Sequence, residues 1–284
     1  MIHFKEKERK IFLLTKSKKL EICKLYFEQL TFYVLSFNQK CRREKMTEEY
    51  SFPPYMETME EAIKVFGGEK QTTYKGKDIT PLWDLKGEGF SSYKYLYKAP
   101  KLEKICIGFQ NFRDMLMSYA LMIFPDDEHA LPIFSSYWAE SKKGSYFIAD
   151  FYPTADCIVD IPYMEKYLEP LEDAYAKGFE MFKGKDERNP NWFRALISPY
   201  CLTGSIAPST KESQKKLMEI TLDYFNIYVD LWKKDEPRDP EYMKRLNERK
   251  EAIRLNFREK DPGGLMMVRA VGEELAELSL YTLF

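Results

Sequence analysis

Phe90-Ser-Ser-Tyr-Lys-Tyr-Leu-Tyr97 decides the fold class. Aromatic residues recur at every second position from Tyr93 to Tyr97, which is the period of a β-strand. Downstream, Lys104-Ile-Cys-Ile-Gly-Phe109 alternates in the same way. Arg113 to Phe124 is largely apolar and stops at Pro125, and two further strand-like runs cover Ile133 to Glu140 and Ser145 to Tyr152. The last two are separated only by a turn at Lys142-Lys143-Gly144. Links this short favour antiparallel pairing, because parallel neighbours need a crossover of a dozen or more residues.

Helical periodicity flanks these strands. Met56 to Phe66 reads as a helix closed by Gly67-Gly68, and Tyr163 to Phe182, Lys211 to Trp232 and Pro240 to Glu259 read as long amphipathic helices. Pro208-Ser-Thr-Lys-Glu supplies an N-cap signal for the second long helix. The chain ends with a break at Pro262-Gly263-Gly264 and one short apolar helix. Strands followed by helices predict an α+β fold: an α/β/α sandwich whose central, mainly antiparallel sheet is flanked by helices.

Composition excludes several chemistries. Five scattered cysteines (23, 41, 106, 157, 201) form no C-x-x-C pair, which argues against a disulfide framework, a zinc site or an iron–sulfur cluster. With only His3 and His129, there is little material for a histidine metal site or a Ser-His-Asp triad. Neither a G-x-G-x-x-G nor a Walker A loop occurs. If the protein is a redox enzyme, its electrons are expected from outside. No apolar stretch approaches the roughly 20 residues of a membrane span; the best candidate, Leu25 to Phe37, is shorter and carries Glu28 and Gln29.

Charge divides the chain. Residues 1–45 hold twelve Lys/Arg and five Glu, a net +7, which leaves −8 for the other 239 residues. We expect residues 1–45 to be a basic extension outside the main domain and residues 46–284 to form a single domain. A start placed too early, an integral N-terminal helix and a targeting segment are the other readings of the basic stretch. Its five glutamates count against a transit peptide.

The tail Lys260-Asp-Pro-Gly-Gly-Leu-Met-Met resembles the C-terminal end of the ferredoxin-dependent bilin reductases and of the related red chlorophyll catabolite reductases, matching at Asp261, Pro262, Met266, Gly272, Leu283 and Phe284. Three earlier stretches are similar to the same family in the same order. They are Phe124-Pro-Asp-Asp-Glu-His-Ala-Leu-Pro-Ile-Phe134, Ile148-Ala-Asp-Phe-Tyr-Pro153, and Ser198-Pro-Tyr-Cys-Leu202 after Asn189-Pro-Asn-Trp192. The resemblance implies an enzyme without bound metal, flavin or nicotinamide. It would receive single electrons from reduced ferredoxin and protonate an open-chain tetrapyrrole. Asp261 matches the family's C-terminal catalytic acid.

Other family positions are changed. The central-strand Asp becomes Tyr137, the His position becomes Ala120, and no carboxylate lies near the Glu position at Gly108. Replacement donors are sought in Tyr137, in His129 on the acidic loop, and in Glu140, which strict alternation points to the opposite face unless a bulge intervenes. Arg188 matches a propionate-binding Arg, and Asp150, Lys260 and Lys185 complete the expected substrate-binding set. A second family cation, before Pro208, is replaced by Ala207. The resemblance further implies a monomer outside membranes that binds no nucleic acid and resides in the cytoplasm, or in a plastid in a photosynthetic eukaryote. A tetrapyrrole carrier and a reductase of another conjugated molecule are the alternative functions.

Overall fold

The computed structural model describes residues 55–284 except 142, 183–188 and 262, so the basic segment 1–45 lies outside the described residues. Helix α1 (Tyr55–Ala62) runs into a 3-10 turn, Ile63–Phe66, closed by Gly67 at φ 63°. That left-handed angle is one glycine adopts without a Cβ clash. Four short strands follow: β1 (Glu69–Lys70), β2 (Thr73–Tyr74), β3 (Lys77–Asp78) and β4 (Leu85–Gly87).

The alternating sequence then forms five consecutive long strands. These are β5 (Phe90–Ala99), β6 (Leu102–Phe112), β7 (Leu116–Pro125), β8 (Ile133–Ser141) and β9 (Gly144–Tyr152). Strand β10 (Leu202–Ile206) returns after the first helices and completes one antiparallel sheet in the order β1-β5-β6-β7-β8-β9-β10, with β4 also on β5. Short connections make neighbours in sequence neighbours in the sheet, as expected. Ser198-Pro-Tyr-Cys, the family-like stretch, is a turn that leads into Leu202 at the start of β10.

Helices cover both faces. On one face, Ile105, Leu121, Phe134, Trp138, Phe147 and Phe151 pack against α1, α2 (Ile161–Tyr167), α3 (Glu172–Phe182) and α5 (Lys211–Lys234). The expected helix Tyr163–Phe182 is divided into α2 and α3 by a 3-10 turn at Glu169–Leu171 that contains Pro170. Proline lacks the N–H that a continuous helix would need there. Thr210 caps α5 by accepting from Ser213 N at 3.1 Å.

The opposite face is covered by the short α4 (Asn191–Arg194), the second half of α6 (Pro240–Lys260), α7 (Gly263–Val271) and α8 (Glu273–Leu283). Helix α6 joins the two sides. Its Met243 and Leu246 belong to the first core, while Ile253 and Phe257 belong to the second. Between them the buried Lys250 ammonium donates to Pro125 O at 3.2 Å, Asp126 O at 3.0 Å and Asp127 Oδ1 at 2.8 Å, fixing the helix across the end of β7.

The tail differs from the expected single helix. Gly272, at φ 87°, separates α7 from α8, so the chain turns once more before it ends. Phe284 is buried and stacks on Phe257 with ring centres 4.5 Å apart, a pairing worth about 1 kcal/mol beyond the area it buries. No helix among the described residues is long and apolar enough to cross a membrane.

Candidate active site

Strand register sets the floor of the site. Lys94 faces Gly108, Gly108 faces Ala120, Ala120 faces Tyr137, and Tyr137 faces Ile148, which pairs with Thr203. Directly opposed residues project to the same side of a sheet. These six residues therefore form one rung across six strands, on the face covered by the tail helices. Ala120, Tyr137, Ile148 and Thr203 stay half-buried in the middle of that covered face, while flanking residues such as Met122, Phe124 and Tyr152 are closed off. The result is a groove with a flat, largely neutral floor.

Asp261 stands over this floor. It terminates α6, its N–H donating to Phe257 O at 2.9 Å, and its Oδ1 accepts from Gly263 N at 2.8 Å. Withdrawal from water raises its pKa above the usual carboxylate range, against the opposing pull of the Gly263 N–H and the Lys94 ammonium. Desolvation disfavours the charged form, so the acid is biased towards holding its proton. Its charge acts on both Lys94 and Tyr137 of the rung.

Tyr137 is bonded to Ser118, with its ring 6.3 Å from that of Tyr146. Burial pushes its phenol far above the ordinary tyrosine range, so it offers a hydrogen bond and not a readily released proton. Tyr146 donates to Asn189 Oδ1 at 3.0 Å and lies 3.3 Å from Thr203 Oγ1. These bonds bring the Asn189-Pro-Asn-Trp192 stretch to the groove, where Trp192 meets Phe257 edge-on at 5.5 Å.

The remaining expected site residues separate. Glu140 projects to the opposite face, where it is buried and accepts from Trp138 Nε1 at 2.8 Å and Ser145 Oγ at 2.7 Å. No bulge interrupts β8, so strict alternation decides its direction. His129 is buried in the loop after β7, its Nδ1 2.8 Å from Asp126 Oδ1. The four residues from Tyr137 back to Ile133 alone span about 13 Å of strand, which carries His129 well away from the rung. Asp150 shares the groove face but is closed from it. It accepts from Ser198 N at 3.0 Å, Ser198 Oγ at 2.5 Å and Phe151 N at 2.8 Å, with the Cys201 thiol as a further partner. It fixes the turn before β10 and has little capacity left for a ligand. Lys260 is exposed and bonded to Asn256 on its own helix. Lys185 and Arg188 lie outside the described residues.

Lys94 is the site residue that periodicity missed. It stands between Tyr93 and Tyr95 in an aromatic strand that carries no family motif, and it is buried. A separate cleft of about 280 Å³ opens on the other side of the sheet, lined by Tyr163, Tyr167, Arg238 and Tyr242, and contains no member of the rung.

Residues 83–284 match the family model described as ferredoxin-dependent bilin reductase. Among solved structures, the phytochromobilin synthase from tomato in complex with biliverdin superposes with a TM-score of 0.66 at 19% identity, covering 80% of this chain and 78% of that one. No curated protein matches the chain.

Proposed function

The chain belongs to the ferredoxin-dependent bilin reductase family, and on that premise we propose that it reduces an open-chain tetrapyrrole lying in the groove between the Lys94–Thr203 rung and the tail helices, with Asp261 as the principal proton donor. The observation that carries this reading is the position of Asp261. Among the described residues it is the one carboxyl whose charge acts on Lys94 and Tyr137 together, and desolvation favours its protonated form.

One electron from reduced ferredoxin enters the conjugated ligand, and a proton from Asp261 then adds to carbon. Asp261 regains its proton from water. Two electrons and two protons in total reduce one double bond. A carboxyl that burial biases towards its protonated form suits this task, because proton transfer is most effective when the donor holds its proton at working pH. Tyr137 and Tyr146 line the floor and orient the ligand by hydrogen bonds. Arg188, immediately before Asn189, is the favoured partner for a ligand carboxylate, since a guanidinium binds carboxylates in a bidentate fork.

The test uses anaerobic protein mixed with biliverdin, followed by a ferredoxin-reducing system. Wild-type protein should bind biliverdin with a shifted absorption spectrum and bleach it on reduction. Asp261→Asn should bind comparably and lose turnover by a factor of about 10² to 10⁴, the usual contribution of a general acid. Unchanged turnover would remove Asp261 from the mechanism. Binding without any change on reduction would instead describe a tetrapyrrole carrier.

A further inference from the structure

Lys94 is a buried cation whose position is defined three times over. Register puts it at the end of the rung, opposite Gly108. Gly108 has no Cβ, and one built there would lie 3.4 Å from Lys94 Cε and 3.5 Å from Cγ. The lysine stem therefore lies across the glycine, along the floor. At its tip, Nζ donates to Ser279 O at 2.7 Å and to Ser279 Oγ at 2.5 Å, both on α8.

An ammonium has three N–H donors. Ser279 accounts for two, both through neutral acceptors, and no hydrogen bond of the third appears among the described residues. The charged or titratable groups that act on Lys94 are Asp261 at the end of α6 and Cys106 on β6, while α8 contributes only the polar atoms of Ser279. A cation withdrawn from water with no hydrogen-bonded anion is costly in a fold that could have used an apolar residue. In a low-dielectric groove such a charge acts strongly on whatever lies beside it.

Building on the reading of the groove as a tetrapyrrole site, we infer that Lys94 is an electrostatic determinant of the reduction: its fixed ammonium, with one N–H directed to the ligand, stabilises the negative charge that arrives with each electron. The electron from ferredoxin adds one unit of negative charge to the ligand before the proton follows. A nearby positive charge makes that step more favourable and so raises the reduction potential of the bound ligand. The same charge favours ionisation of Asp261 and thereby sharpens it as an acid. Burial lowers the Lys94 pKa to about 8, so the charge is largely retained at neutral pH.

The experiment is an anaerobic redox titration of protein-bound biliverdin, followed by absorption, in wild type, Lys94→Met, Lys94→Arg and Ser279→Ala. The potential should move to more negative values in Lys94→Met and return towards wild type in Lys94→Arg. Ser279→Ala, which loosens the ammonium without removing it, should fall between them. Loss of biliverdin binding in Lys94→Met with retention in Lys94→Arg also supports an ammonium that faces the ligand. Wild-type potential in a biliverdin-loaded Lys94→Met protein overturns the inference and leaves the site assignment standing. Failure of wild-type protein to bind biliverdin overturns both. If Lys94→Met does not fold, Ser279→Ala decides: an unchanged potential there counts against the inference, and a negative shift supports it.

Discussion

At the scale of single residues, two aspartates on the groove side of the sheet, Asp261 half-buried and Asp150 fully buried, do opposite work. Asp261 ends a helix and keeps one bonded N–H partner, so its proton remains available to a ligand. Asp150 is enclosed by the donors of the 198–201 turn, and burial still lifts its pKa to about 6. The folded value lies above the 3.8 of an ordinary aspartate, so folding tightens proton binding. Asp150 therefore contributes stability that is complete below about pH 4 and is lost as pH rises through about 6. Asp150→Asn cannot ionise, so the fall in Tm across that window should shrink. Its amide also presents N–H to donors, and the whole Tm curve should sit lower. Tm measured against pH for both proteins checks the sign. Tyr137→Phe removes a phenol that cannot readily release its proton. Turnover should fall by less than about tenfold, the worth of one ordinary hydrogen bond, against the much larger loss in Asp261→Asn. The pair of rate constants distinguishes hydrogen bonding from proton donation. In Lys94→Met the alkaline limb of the turnover profile should move to higher pH, because loss of a nearby positive charge raises the Asp261 pKa.

At the scale of elements, the groove depends on how the tail seats against the sheet edge. Gly87 in β4 lies directly beneath Ala270 of α7, and a Cβ built there would stand 2.1 Å from the Ala270 carbonyl oxygen. Backbone cannot move aside as a flexible side chain can. Gly87→Ala should therefore cost about 1–3 kcal/mol, read as a lowered midpoint in denaturant titration, and should weaken biliverdin binding by displacing α7. Unchanged stability would mean that α7 is not seated on β4. Element identities were legible where periodicity was long: α5 and α6 end within two residues of their expected limits. Tyr163–Phe182 was misread as continuous because its apolar period persists across Pro170, where the backbone loses a donor. The tail was misread because Gly272 is a single residue, and only its positive φ reveals the second break.

At the scale of the whole molecule, the described residues from Tyr55 to Phe284 belong to one compact unit, which holds both cores and the rung. A chain that begins at Met46 is therefore expected to keep the Tm and the biliverdin affinity of the full protein, as judged by thermal unfolding and spectral titration. A large fall in either would make the basic segment part of the fold. The amino-acid sequence alone determined the antiparallel sheet, because alternation is local and the links between strands are too short for any other pairing. It also marked the helix stop at Asp261, because Pro262 and two glycines follow it in consecutive residues. The tertiary structure decided which charges share the groove. Glu140 and Tyr137 are three residues apart and face opposite sides, while Lys94 and Tyr137, far apart in the chain, share one rung on which the charge of Asp261 acts. Register and helix docking sum over many weak contacts from distant segments. No local stretch of sequence records that sum, and the buried lysine at the end of the rung emerged only when the strands were paired.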